Sequence, residues 1–280
     1  MRRTRRIVTG ILAVMLAISG ETFVGANSKD STDAVLRRVH RLILLTNRQR
    51  AAHGLAPLKR QENLVRAAFA HARDMAAFGY FAHSTPQAAR GTEDYEEYAR
   101  RHRYPGRAGQ NLYRGEVGAE RIVDAWMTSP DHRRNLLDPR YCEIGVGFAR
   151  NREDGTTYCV QFLGVRPDYY GIVIENEAYR VTGRNVRLFL YGNDRMTRMR
   201  FSNDGETFSD WEPFRSERDW RIGAAEGAHK VVAEFSDTER IYRCSDSIVL
   251  LQPHDSSGGV RHVTEARPLP MRAISGNAPP

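Results

Sequence analysis

Residues 129–148 read SPDHRRNLLDPRYCEIGVGF, and a change of period inside this stretch decides the fold. The first half continues the helical spacing of AERIVDAWMT, which turns Ile122, Val123 and Trp126 inward. Pro130 breaks that helix, which resumes as a short turn. From Glu143 the period becomes two: EIGVGFAR and TTYCVQFLGV alternate as strands, with NREDG as their hairpin connection. Helices that give way to a strand pair within one unit imply layers of mixed type.

Upstream, STDAVLRRVHRLILLTNRQRAAHG places Val35, Leu36, Val39, Leu42 and Ile43 at helical spacing, with Gly54 as the stop. In QENLVRAAFAHARDMAAFG, residues Leu64, Ala67, Ala68, His71 and Met75 share one face and Gly79 ends the helix. His71 therefore reads as a hydrogen-bonded core histidine. TEDYEEYARRHRY reads as a charged, mostly solvated helix ended by Pro105-Gly106. Residues 30–166 thus form an α+β unit in α/β/α order. Beyond RPDYYG the runs RNVRLFLYG, RMRFSNDGETFSDWEPF, HKVVAEFSD and SIVLL are short and strand-like, with Asn203-Asp204-Gly205 as a hairpin signal. Residues 169–252 read as an all-β sandwich in which Trp211 and Trp220 pack between strands. The segment 253–280, rich in Pro, Gly and Ser, is expected to be disordered.

The chain opens with four arginines, an apolar run of about a dozen residues and then small residues, the layout of a secretory signal cleaved after Ala26. The run is short for a bilayer span, so no transmembrane segment is expected in the mature chain. Loss of residues 1–26, which carry four Arg and one Glu, lowers the formal charge from +8 to +5. That excess gives weak attraction to acidic wall polymers or anionic lipid and does not argue for nucleic acid as a partner. Three cysteines, Cys142, Cys159 and Cys244, allow at most one bridge within the chain; Cys142 with Cys159 is the favoured pair, the alternative being three small buried thiols.

Four polar residues are left unexplained by core packing: His83 after the second helix, Gln110 in GRAGQNLY, His132 in SPDHRRN and Glu143 at the start of the first strand. Each sits at an element boundary, where loops converge on a cleft. Ser84 beside His83 lacks the strand-turn-helix elbow of a nucleophile, and HSTP reads as a supplier of turn and capping hydroxyls.

The ordered succession LTNRQRAAHGLAPL, AAFAHARDMAAFGYFAHSTP, GQNLY, AWMTSPDHRRNLLDPRYCEIGVGF and YCVQFLG resembles the bacterial branch of the CAP superfamily, whose other members include cysteine-rich secretory proteins and plant pathogenesis-related proteins. The resemblance implies an α/β/α sandwich with a cleft bearing two histidines and acidic residues, which in some members holds a divalent metal. His83 and His132 match those histidines. Gly109-Gln110-Asn111 stands at the family's Gly-Glu-Asn motif, so its carboxylate is an amide here, and Glu143 is the remaining acid. Two imidazoles with Glu143 would be a zinc set of His83, His132 and Glu143, weakened because an amide brings no charge. The C-terminal unit resembles immunoglobulin-like or fibronectin-type-III-like modules. The implied function is a secreted protein whose cleft, lined by His83, Gln110, His132 and Glu143, binds a lipid, a glycan or a cell-wall fragment without turnover. The alternative is a metal-dependent hydrolase of extracellular peptide or wall substrates.

Overall fold

Strand β3 (Glu143–Arg150) sends Ile144, Val146 and Phe148 into one apolar core and presents Gly145 and Gly147 to the other side. A Cβ on Gly145 would stand 2.2 Å from the Leu64 carbonyl carbon, and one on Gly147 2.2 Å from the Phe69 nitrogen. Helix α2 (Glu62–Phe78) therefore lies with its backbone directly on the strand. The computed structural model describes residues 28–86, 94–115, 118–166, 169–237 and 239–251; the expected export signal and C-terminal tail lie outside them.

The first sheet has the order β1-β3-β4-β2, from β1 (Lys59–Arg60), β3, β4 (Thr157–Val165) and β2 (Arg107–Gly115), with β3, β4 and β2 antiparallel neighbours. Helices α1 (Ser28–Ala52) and α4 (Ala119–Thr128) cover one face through Val39, Leu42, Ile43, Ile122 and Trp126. Helices α2 and α3 (Tyr95–Arg101) cover the other through Leu64, Ala68, Met75 and Tyr98. The α/β/α order read from the sequence is the order observed. Helix α2 starts where the Gln61 side chain accepts the Leu64 N–H at 2.9 Å, and ends at Gly79, whose φ of 69° places it in the left-handed region. Helix α3 differs from the solvated helix expected. It is one short segment that buries Tyr98 and Ala99, because the Tyr98 hydroxyl is taken by Asp74 and by Thr85 Oγ1 at 3.0 Å.

A second unit follows β4. Sheet β10-β7-β5, from β5 (Gly171–Ile174), β7 (Asn185–Tyr191) and β10 (Glu217–Arg221), faces sheet β6-β12-β11-β8-β9. The latter is built from β6 (Arg180–Val181), β8 (Arg198–Ser202), β9 (Glu212–Pro213), β11 (Gly227–Ser236) and β12 (Ile241–Leu250). Leu188, Phe201, Val231 and Phe235 fill the core between them, a sandwich as read. Asn203-Asp204-Gly205 is not a tight two-strand hairpin. It turns the chain inside the wider 203–211 loop, where Asp204 Oδ1 accepts the Glu206 and Thr207 N–H groups at 2.8 Å. Trp220 packs on Phe201, and Trp211 is covered by Arg198 and Arg200.

The favoured Cys142–Cys159 bridge is corrected: all three thiols are free. Cys142 N–H bonds Gly164 O at 2.9 Å, whereas Cys159 lies opposite Phe148 five residues back along β4, roughly 16 Å away at strand rise and far outside bridging range.

Charged groups cross from one unit to the other. Lys59 Nζ lies 2.7 Å from Glu177 Oε1 and also pairs with Asp246, so two carboxylates share one ammonium in a buried site. Burial first, and then the Asp246 charge against the pull of Lys59, lifts the Glu177 carboxyl to about 7. Glu177 closes a one-turn segment, Glu175–Glu177, in which three successive non-glycine residues have φ of 47°, 56° and 66°.

Two outcomes follow from this packing. Gly147→Ala is expected to cost about 3 kcal/mol or more, because backbone atoms rather than a mobile side chain occupy the methyl's place; a urea midpoint unchanged from wild type would contradict the close approach. Glu177 holds its proton up to about pH 7 when folded but only to about 4.5 as a free carboxyl, so its contribution to stability is present toward pH 5 and lost as pH rises through 7. Wild type should therefore lose stability relative to Glu177→Gln between pH 5.5 and 8, and denaturation of both proteins at the two pH values checks the sign.

Candidate functional site

Gln110 sits near the middle of β2 with its side chain buried on the α2 side of the sheet. Its Oε1 lies 2.8 Å from His83 Nδ1 and its Nε2 lies 2.9 Å from His71 Nδ1. One amide thus bridges two imidazoles, and its two ends set their tautomers. The amide N–H donates to His71, leaving that ring's proton on Nε2; the amide oxygen accepts from His83, which carries its proton on Nδ1 and turns an Nε2 lone pair outward. His71 is fully buried and stacked on Tyr98 with ring centroids 4.5 Å apart. Burial above all, opposed by Asp74 and reinforced by His83, lowers its pKa to about 4, so it is a neutral acceptor at ordinary pH.

His83 lies in the exposed segment that follows the Gly79 cap. Thr85 anchors that segment from below through its bond to Tyr98 rather than by capping a helix, and Ser84 is exposed. His132 lies in the first turn of α5 (Pro130–Leu136), half-buried; desolvation lowers its pKa, and the neighbouring charge of His83 lowers it further. The two histidines therefore stand within electrostatic reach of one another.

What holds α5 there is a buried polar frame. Asn111 donates to His132 O at 3.2 Å and to Gln161 Oε1 at 3.1 Å, while Gln161 donates to Thr46 Oγ1 at 3.1 Å. Asn135 Nδ2 reaches Gln110 O at 3.1 Å and Asn111 Oδ1 at 3.0 Å, and Trp126 Nε1 reaches Leu112 O at 2.9 Å. The Gln110 and Leu112 carbonyls, at alternate positions on an edge strand, are thereby covered by side chains instead of by another strand. Arg50, fully buried, donates to the carbonyls of Ala56 at 2.8 Å, Leu136 at 2.8 Å, Asp138 at 3.0 Å and Tyr141 at 3.2 Å, and so pins the segment between α5 and β3 to α1.

These elements enclose a cleft of about 420 Å³, lined by His83, Gln110, Tyr95, Tyr141, Arg107 and Arg140 among others; His132, expected to line it with His83, is not among its lining residues, although its helix contributes Asn135. Larger hollows of about 560 and 480 Å³ lie elsewhere and carry no histidine. Glu143 does not join the cleft. It is aligned across β4 with Ala108, about 10 Å away at strand spacing, and its carboxylate is engaged by the Tyr104 hydroxyl at 2.9 Å and Arg166 at 3.3 Å. Burial raises its pKa against those two partners. The expected set of His83, His132 and Glu143 is therefore not brought together, and among the described residues no group of three or more His, Cys, Asp or Glu side chains is placed to hold a metal ion.

The sequence model of the cysteine-rich secretory protein family (CAP) matches residues 43–162, the span that builds both helical layers, the sheet and the cleft. This unit is a CAP domain. Over 148 residues the chain is 34% identical to an uncharacterized protein, YkwD, of Bacillus subtilis (strain 168), covering 53% of this chain and 54% of that one. Over 106 residues it is 34% identical to an uncharacterized membrane protein, YlbC, of the same organism, covering 38% of this chain and 30% of the relative. The chain thus spans about half or less of the length of these curated relatives. Among solved structures, an extracellular protein containing an SCP domain from Bacillus anthracis str. Ames aligns with a TM-score of 0.43 and 23% identity, over 51% of this chain and 45% of that one.

Within the CAP domain, His71, Arg50 and Asn135 are site-building residues that spacing alone did not reveal. A signal was available for Gln161, a polar residue at an inward position of an otherwise apolar strand. Imidazole ¹⁵N spectra should show neutral His83 protonated at Nδ1, and Gln110→Leu should release it toward the commoner Nε2 form; an Nε2–H His83 in wild type would contradict the bridge.

Proposed function

We propose that this is an exported ligand-binding protein whose CAP cleft takes up an extracellular molecule, a glycan or cell-wall fragment, without turning it over, and whose β-sandwich spaces or attaches the domain. The observation that carries this reading is the occupied amide of Gln110. Both of its ends are spent on histidines, and it has no charge with which to activate water or complete a metal set. The polar lining suits a hydrophilic ligand better than the acyl chain of a lipid, because arginine and tyrosine head groups would lose water without replacement against hydrocarbon. Export rests on the basic, apolar and small-residue layout of residues 1–26. No helix among the described residues is long and apolar enough to cross a membrane.

The alternative, a hydrolase with metal-bound water on His83, His132 and Glu143, requires a carboxylate that here is held by Tyr104 and Arg166 on the far side of β4. The donor set does not fit that role. Restoring a carboxylate beside His83 with Gln110→Glu should strengthen zinc binding by about tenfold or more over wild type, and His83→Ala in that background should remove the gain. Calorimetric titration of the three proteins is the test. Tight stoichiometric zinc binding by wild type would instead favour the hydrolase.

A further inference from the structure

The cleft walls end in arginines supplied by different elements. Arg107 opens β2 with its side chain 88% exposed, and its carboxylate contact, Glu96 Oε1, is 3.9 Å away, too long for a hydrogen bond. Arg140 stands on the segment before β3, 77% exposed. Asp138 grips it by accepting from Nη2 at 2.5 Å, from Nε at 3.0 and 3.1 Å and from its backbone N–H at 2.9 Å, and Asp138 is itself tethered by its carbonyl to Arg50 at 3.0 Å. Arg140 is thus a pre-oriented cation whose Nη1 edge is not taken by Asp138, and an orientation fixed in advance lowers the entropy cost of binding.

Tyr141 sits between these groups. Its ring packs on Gly109, where a Cβ would stand 2.1 Å from the hydroxyl, so the glycine is what admits the phenol to the cleft. Gln110 lines the same cleft with a neutral amide, turned to the opposite face of β2 from Gly109. An arriving negative group meets two exposed guanidiniums, that of Arg140 already paired on one edge with the Asp138 carboxylate, together with phenolic hydroxyls and the neutral amide of Gln110. The one acidic lining residue, Glu96, is partly exposed and binds Arg107 only loosely.

We propose that this end of the cleft holds an anionic group of the ligand, a carboxylate or a phosphate, between Arg107 and Arg140; the proposal rests on the cleft being a ligand site, as argued above. Guanidinium forks match the paired oxygens of either group. The full chain is titrated, by ligand-observed NMR, with N-acetylmuramic acid, with N-acetylglucosamine, which lacks the lactyl carboxylate, and with inorganic phosphate. The acid is expected to bind about tenfold more tightly than the neutral sugar. Arg107→Gln with Arg140→Gln should erase that preference, and because both side chains are largely exposed the fold should survive the change, checked by circular dichroism. Phosphate that competes in an arginine-dependent way admits phosphate esters as ligands, and failure to compete narrows the class to carboxylates. A preference that survives in the double variant would overturn the proposal. Equal affinity for the two sugars would also overturn it, while loss of both in His83→Ala would leave the cleft as the ligand site. No binding of any probe would overturn both readings.

Discussion

The contact on which the CAP domain depends is backbone on backbone: α2 lies against β3 because Gly145 and Gly147 present no side chain to it. Even a methyl in either place would have to push the helix outward by about 1 Å or more to reach ordinary contact distance. The consequence reaches the cleft through geometry. With α2 held low over β3 and β4, His71 on its underside meets Gln110 two strands away, and the Gly79 cap releases the chain so that His83 returns over the same amide. The neighbouring Tyr104 uses a third gap of this kind, at Gly164, where a Cβ would stand 2.1 Å from its hydroxyl. That ring separates Glu143 from the histidines and engages its carboxylate. Packing geometry, before any chemistry, decides which polar groups share a site.

Arg50 does for the opposite face what the glycines do for α2. A guanidinium with full burial is costly unless its donors are met, and here four backbone carbonyls from two segments meet them. Three of those carbonyls belong to irregular chain and the fourth, of Leu136, to the last residue of α5, none of them within a ladder, so the cation and these segments satisfy each other. Burial lowers the Arg50 pKa, yet an arginine stays charged over any working range, which makes the clasp insensitive to pH. Histidine or lysine in this place would give way on desolvation. Because Arg140 and Tyr141 stand on the clasped segment, the shape of the cleft mouth is tied to a residue on α1 far from it in sequence.

Much of this was legible in the sequence because it is periodic. The helical spacing of α1 and α2, the change to period two at Glu143 and the short strands after RPDYYG each report a buried face, and the structure has them in that order. His83 and His132 were legible as polar residues at element ends. What spacing does not encode is the partner of a buried polar group. His71 read as an ordinary core histidine, and its partner is the cleft amide; Arg50 read as one more charge in a basic run and is among the most buried side chains in the chain. Glu143 opens its strand as expected, but pleat and neighbours direct its carboxylate to Tyr104 and Arg166. The cysteine pairing failed for a related reason: proximity in sequence around a hairpin does not give proximity across it once register is fixed.

The β-sandwich meets the CAP domain through polar groups whose geometry is demanding. Asn47 Nδ2 donates to Leu58 O and to Asn176 O, both at 3.0 Å, and the Tyr191 hydroxyl donates to Pro57 O at 2.6 Å. Asn176 is the centre of the left-handed turn, where three non-glycine residues cost roughly 1–2 kcal/mol each in backbone strain. Such a turn persists only where its surroundings over-determine it. Here they do: Glu175 Oε1 accepts the Arg187 N–H at 2.6 Å, Asn47 takes the Asn176 carbonyl, and Glu177 reaches Lys59. Two of those three restraints come from the other unit, so the strained turn and the junction are one feature. Apolar surfaces could slide past each other at little cost, but displaced charges in the Lys59 site would be left buried and unpaired. The orientation of the sandwich relative to the cleft is for that reason set at the junction, through β1, the strand that runs beside the start of β3.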